Sequence, residues 1–398
     1  MQDAQLVSVA QALISAWVPV TLALTLAVAL SLYHCVERKP VDIDPSMDID
    51  YFMLSGAPLP RPLPDFDLDR AKPRPYRPFR WRYHQTMALA PLEHDWWIEL
   101  ESTYKFRVNQ RQYLYTKHGS AVLQSMPGSE AACKEMMYMV IQFLCARYPN
   151  HFQFDKNTCG FTNRILGTSD DIDTVHPLQF LLNNVPEDFL VTQKDPGTGE
   201  YFLRAAVCCS AIGFNMTGKM GRPLREIHGP VPDYEWKLKT SVDKFFDRMP
   251  VEKPIQRGSW SFEVGQPLYL QANDPEYMEH KRENPNLRIE DVYLRIDWQT
   301  LRRLPQSKAI LFNFKALFTP VTQLQEEPYI PQLILKVLKE GPASIKKYKG
   351  WSHLEHRLLP ALEVYARDQV SRGLVPEGWQ ERTLDEQPFF PGWQSVSG

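Results

Sequence analysis

"DVYLRIDWQTLRRLPQSKAILFNFKALF", residues 291–318, sets the fold class. In its first part Val292, Leu294, Ile296 and Trp298 alternate with Asp291, Tyr293, Arg295 and Asp297. That period of two belongs to a strand with one face buried. Residues 309–318 repeat the pattern through Ile310, Phe312 and Phe314. The polar stretch 299–308 between them reads as a connection, so the pair predicts an antiparallel hairpin. Upstream, "YFLRAAVCCSAIGF" at 201–214 is a short apolar run that fits one buried strand or two. Helical spacing appears at 129–149, where Met137, Val140, Ile141, Leu144 and Tyr148 recur on one side and Pro149 ends the run. Residues 235–249 carry Leu238, Val242, Phe245, Phe246 and Met249 on one helix face, and 328–339 and 351–372 also read as helices. No repeat is evident. The expected body is one α+β domain, an antiparallel sheet with helices outside it.

The chain has 398 residues, 43% hydrophobic and 23% charged, with a formal charge of -2. Such a composition supports a sizeable core and gives no reason to expect a nucleic-acid partner. The six cysteines show no CxxC pair and no metal-ligand spacing, and Cys208 and Cys209 sit together in an apolar run. They read as reduced core residues, which places the body in a reducing compartment.

Leu6 to Tyr33 carries no charge and is rich in Ala, Leu, Val and Thr. It is long enough to cross a bilayer as a helix. A secretory signal would need a basic region before the run, yet only Asp3 is charged there. A membrane anchor over 1–36 is the expectation, ahead of a signal peptide or a buried helix. Arg38 and Lys39 follow the run and no Lys or Arg precedes it, which puts the body in the cytosol. Residues 37–79 then read as a Pro/Arg-rich stalk, either a solvated spacer or a contact for anionic lipid heads. The body follows at 80–325, with a helical extension over 326–398.

The search for chemistry begins with absences. There is no GxSxG elbow, no phosphate-binding GxxxxGK[ST] loop, no GxGxxG and no HExxH. His353 and His356 lie three apart on an expected helix, a weak metal pair. By contrast, "KMGRPLREIHGPVPDY", residues 219–234, surrounds one histidine with backbone-restricting residues. Gly221, Pro223, Gly229, Pro230 and Pro232 flank His228, and Lys219, Arg222 and Arg225 add three cations. The arrangement suits a rigid turn at a helix start. It also suits a haem site, in which an imidazole ligates iron and the cations pair with the propionates.

The sequence resembles a family first catalogued as a domain of unknown function, which contains the haem-dependent oxidative N-demethylases. The resemblance runs from about Pro78 to about Gln325. It rests on "YFLRAAVCC" followed by "KMGRPLREIHGPVP", and on "LRIDWQTLRRLPQSKAILFNF", similar to the family's Arg-x-Glu-Arg-Gln-Thr-Leu-x-Arg-Leu-Pro signature. It implies a PAS-like haem-binding sheet with helices around it. It further implies O2-dependent removal of a methyl group from a small amine as formaldehyde, with NADPH electrons arriving through a separate flavin and iron–sulfur reductase. His228 would then ligate the iron of haem b, with Lys219, Arg222 and Arg225 as propionate partners. Gln299, Thr300, Arg302 and Arg303 would shape the pocket or brace the sheet. Asp297 and Trp298 stand where the family signature has Glu-Arg; if they line the distal pocket, the substrate need not be a dimethylamine-like cation.

Two other readings stay open. A single-pass membrane glycosyltransferase would share the layout of anchor, stalk and body, with Asp171-Ile172-Asp173 as a metal-binding DxD, although Asp65-Phe66-Asp67 repeats that pattern. It would need a lumenal body and would use the Asn215 sequon. A non-catalytic haem sensor would share the PAS-like sheet.

Overall fold

The hairpin read from 291–318 stands at the centre of a seven-stranded antiparallel sheet. The computed structural model describes residues 44–84 and 86–395, and Pro45–Gly398 form one compact unit. Its strands are β1 (Ala90–Pro91), β2 (Leu123–Ser125), β3 (Phe152–Asp155), β4 (Gly160–Asn163), β5 (Thr168–Asp171), β6 (Asp188–Lys194), β7 (Tyr201–Val207), β8 (Ile255–Val264), β9 (Val292–Arg303) and β10 (Ile310–Pro320). The large sheet runs β1-β8-β9-β10-β6-β7-β2, and β3-β4-β5 form a small second sheet.

Residues 299–303 were expected in the connection but continue β9, pairing Gln299 with Phe314 through to Arg303 with Ile310. The same alternation carries on through polar residues: Leu301 faces one side, and Thr300 and Arg302 turn to a packed face where each finds a partner. Helix Glu130–Arg147 matches the expected run, while 201–214 yields a single strand, β7. The region expected as a helix from 235 begins as a π turn, Tyr234–Leu238, before the helix Lys239–Arg248. Ile330–Glu340 and Glu355–Ser371 appear where helices were expected, with a further one at Ala343–Lys349. Leu333, Ile334, Leu358 and Leu362 join the main core, so the C-terminal helices are part of the body rather than an appendage.

The stretch expected as a stalk needs correction. Its prolines keep it extended, but residues 45–79 lie along the body. Tyr51, Phe52, Tyr76 and Phe79 are buried in the main core. Arg77 reaches Glu327, with Nε donating at 2.6 Å, and Arg74 donates to Glu99 at 2.8 Å. Arg74 and Arg77 are therefore buried ion-pair partners, while Arg61, Arg70 and Lys72 remain exposed. The anchor expected over 1–36 lies outside the described residues, as do residues 37–43 and Cys35. Among the described residues no helix is long and apolar enough to cross a membrane.

One glycine reports on this docking. A Cβ added at Gly258 on β8 would come within 2.8 Å of the Tyr76 ring and 2.9 Å of Pro78. Gly258→Ala is expected to cost about 1–3 kcal/mol through overpacking. Were the segment standing free, alanine in a strand would be neutral or stabilising. Urea unfolding of the variant decides between the two.

Candidate functional site

Residues directly opposite each other on antiparallel strands share a sheet face. One row of this sheet runs Ile255, Leu301, Phe312, Leu190, Ala206. The next runs Arg257, Gln299, Phe314, Asp188, and a third places Ser259 beside Asp297 and Ala316. Residues 211–249 lie against this face. Phe214, Met220, Ile227 and Tyr269 pack with Leu190, Phe312 and Phe314, while Leu224, Phe246 and Met249 pack with Leu301 and Ile310. The cover is incomplete, since Leu190, Phe214, Met220, Ile227, Tyr269 and Phe312 are only half-buried. The boundary between β8–β10 and the segment carrying His228, apolar with a polar flank at Arg257, Gln299 and Asp297, is therefore the candidate cleft.

That segment is fastened by its own backbone. Gly221 adopts φ +70°, a conformation that favours glycine, and donates to Leu203 O at 2.8 Å; Leu203 N returns a bond to Arg222 O at 3.1 Å. The motif thus hooks onto β7 before the short helix Leu224–Ile227. His228 follows immediately. Its Nδ1 lies 2.9 Å from Leu224 O, and its ring stacks on Tyr234 with centroids 4.9 Å apart and planes 14° apart. A carbonyl oxygen can only accept, so Nδ1 carries the proton and Nε2 keeps its lone pair. Burial pushes the imidazole pKa down, and the positive charges of Lys219 and Arg257 push the same way. The ring is therefore neutral near pH 7, with one nitrogen fixed by a backbone carbonyl and the other available. Metal-ligating histidines are held in this manner.

The three cations expected around His228 are not brought together. Lys219 packs near the cleft, its ammonium 4.2 Å from the Phe214 ring centroid. Arg222 pairs with Glu226 at 3.0 Å, and Arg225 pairs with Glu200, both at the surface. A different cation faces the cleft: Arg257, which lies close enough for His228 to feel its charge. Sequence reading missed it because a lone arginine in "IQRGSWSFEV" has no motif around it.

The alternation of β9 sorts the remaining candidates. Gln299 and Asp297 face the cleft. Asp297 accepts from Arg295 Nε at 2.9 Å; burial pushes its pKa up, against the opposing pull of Arg295 and Lys349. Trp298 faces the other way, buried in the main core with its Nε1 donating to Gln256 at 3.1 Å, so it does not line the pocket. Thr300 donates to Asn313, which also accepts from Trp97 at 2.9 Å. Arg302 lies 3.7 Å from the Trp97 ring centroid, and burial lowers its pKa to about 9. Arg303 donates to Met249 O at 2.8 Å and to Phe246 O. These three brace the sheet.

The other candidate sites do not assemble. Asp171 uses its carboxylate locally, accepting from the Asp173 backbone at 3.0 Å. His356 Nε2 lies 3.0 Å from Asn284 O, whereas buried His353 packs against His280 with ring centroids 6.2 Å apart. Among the described residues no cluster of three or more His, Cys, Asp or Glu side chains could hold a metal. Asn215 is exposed and caps the following turn, accepting from Thr217 N at 2.7 Å. Cys208 and Cys209 are buried free thiols, as their apolar setting predicted.

Against this geometry, the family model described as haem-dependent oxidative N-demethylase, alpha subunit-like, matches residues 88–359, more than half of the chain. The match spans the whole cleft and passes the boundary expected at 325, reaching into the helix Glu355–Ser371.

Proposed function

The chain belongs to the haem-dependent oxidative N-demethylase, alpha subunit-like family, and from that premise we propose that it is an oxidative demethylase whose haem b lies in the cleft with His228 as the iron ligand. The observation that carries this reading is the His228 tautomer: Nδ1–H is committed to Leu224 O, and Nε2 is left with a lone pair. The half-buried apolar residues of the cleft suit a porphyrin face, and Lys219 can reach a propionate. Arg222 and Arg225 could do so only by leaving their acidic partners. The sheet in this role is PAS-like, with its strands forming the wall opposite the ligand.

Haem, when bound, supplies the iron that activates O2 for oxidative removal of a methyl group. The protein supplies position and charge. Phe312, Phe314 and Leu190 give the cleft an apolar wall. Gln299, with an amide that both donates and accepts, is placed to orient a polar substrate atom. Asp297, anchored by Arg295, offers a carboxylate oxygen to a substrate ammonium, and burial favours its holding a proton released there. Electrons come from NADPH by way of a separate flavin and iron–sulfur reductase, consistent with the missing dinucleotide fingerprint. The uncharged run Leu6–Tyr33 anchors the chain, with Arg38 and Lys39 keeping the body on the cytosolic side.

The test is the visible absorption spectrum of the chain from residue 44 onward, expressed with haem supply. A Soret band with stoichiometric iron is expected, and a folded but colourless protein overturns the proposal. With NADPH alone the purified chain is expected to show no oxidation above background, and turnover should appear on adding a reductase. Rapid NADPH oxidation by the chain itself would reveal an electron-entry site in this sequence.

A further inference from the structure

The buried and half-buried cations of the body are unevenly supplied with counter-charge. Arg295 is matched by Asp297, Arg74 by Glu99 and Arg77 by Glu327. Arg257 has no acidic partner among the described residues, and its buried Nε has no hydrogen-bond acceptor. Its charged and titratable neighbours are Tyr83, Tyr348, Arg80 and Tyr76, which at neutral pH contribute one further positive charge and no negative one. Lys349 adds an ammonium on the same side. Its Nζ donates to Ser259 Oγ at 3.0 Å and to Trp260 O at 2.7 Å, both neutral acceptors. Burial lowers the pKa of Lys349 to about 8, and Asp297 is the acid whose charge opposes that fall.

Arg257 is half-buried, with Nε shut off from water. Partly desolvating a guanidinium without a counter-ion is costly, and its planar fork matches a carboxylate through two parallel hydrogen bonds. Arg302 is also without an acid but is stacked on the Trp97 ring. Arg257 has no such ring contact among the described residues, and a ligand carboxylate would supply the missing charge. Arg257 is opposite Gln299 and Ser259 is opposite Asp297, so Arg257 and Asp297 are diagonal neighbours on one face. In antiparallel sheets that diagonal is about 7–8 Å between backbones. A long arginine and a short aspartate reaching inward from such positions close on a ligand whose two opposite charges lie one carbon apart.

We propose that the substrate is a zwitterion, an N-methylated amino acid rather than a simple alkylamine, with its carboxylate held by Arg257 beside Lys349 and its ammonium facing Asp297. The amine half of this assignment rests on the demethylase reading above; the carboxylate half rests on Arg257 alone. Haem propionates are carboxylates too, so the experiment must separate the two sources.

Isothermal titration of the chain with N-methylglycine and with dimethylamine does so, alongside the haem-to-protein ratio of each sample. Wild type is expected to bind N-methylglycine at least tenfold more tightly than dimethylamine. Arg257→Gln is expected to erase that preference with haem content and far-UV circular dichroism unchanged, and Arg257→Lys to restore part of it. Equal affinities in wild type overturn the proposal. So does an Arg257→Gln protein that loses haem, which would assign the guanidinium to a propionate. If Arg257→Gln does not fold, the wild-type preference and its reduction in Arg257→Lys decide the matter. A wild-type protein without haem defeats the demethylase reading, while the calorimetric comparison still stands or falls on Arg257.

Discussion

His228→Ala abolishes the Soret band, and the haem that copurifies falls at least tenfold, while the far-UV circular dichroism stays close to wild type. The expectation follows from what the imidazole does and does not touch. Its Nε2 makes no hydrogen bond among the described residues, so removing it costs the fold nothing there. The lost contacts are local: a bond to Leu224 O, four residues earlier, and a stack on Tyr234. One such hydrogen bond contributes about 0.5–1.5 kcal/mol. The hook of Gly221 on Leu203 holds the motif to the sheet independently of the ring. Two controls sharpen the result. Tyr234→Phe keeps the stacking ring and removes a hydroxyl that has no hydrogen-bond partner, so haem content should hold. Arg222→Ala should change haem retention less than twofold, because Arg222 is engaged with Glu226 at the surface. If His228→Ala binds haem with an unchanged spectrum, another residue is the ligand and the motif is a rigid turn.

The parts legible in the sequence share one property: they are local in the chain. The hairpin could be read because alternation is enforced by the pleat itself, and residues 219–234 could be read because glycine and proline restrict their own backbone. Once Trp298 is known to sit on a strand beside Asp297, it must face the opposite side; the error lay in treating neighbours in a motif as neighbours in a pocket. The docked segment at 45–79 was illegible for a different reason. Prolines force an extended path whether or not anything lies beside it, and the partner that buries Arg77 is Glu327, some 250 positions away. Arg257 was missed likewise, since its importance comes from the acids that are absent around it in space. Arg222 and Arg225 were overvalued because Glu200 and Glu226, the acids that occupy them, did not enter the charge count around His228.

The same dependence on distant partners governs the largest expected loss of stability, that of Arg111→Met. Arg111 is fully buried on the helix Tyr104–His118, and its Nη1 donates to Asp188 at the start of β6. Asp188 also accepts from the backbone N–H groups of Cys209 at 2.9 Å and Ser210 at 2.6 Å, so this carboxylate fixes the chain where it leaves β7. Next to it, Glu187 is buried with both oxygens lacking a hydrogen-bond partner. Burial pushes its pKa up to about 7, with Lys315 and Arg111 opposing the rise. Methionine approximates the volume of the arginine stem, so little of the effect comes from a cavity. What remains is a buried carboxylate without its cation, and breaking such a pair from one side costs about 3–5 kcal/mol. Urea unfolding at pH 7 should show a lowered midpoint with an unchanged slope. Replacing both partners, Arg111→Met with Asp188→Asn, should recover part of the loss, because the stranded charge is gone, although one of the two N–H groups keeps only a neutral acceptor and the other loses its acceptor. A single variant within 1 kcal/mol of wild type would mean that the two backbone donors alone suffice to hold the Asp188 side chain in place.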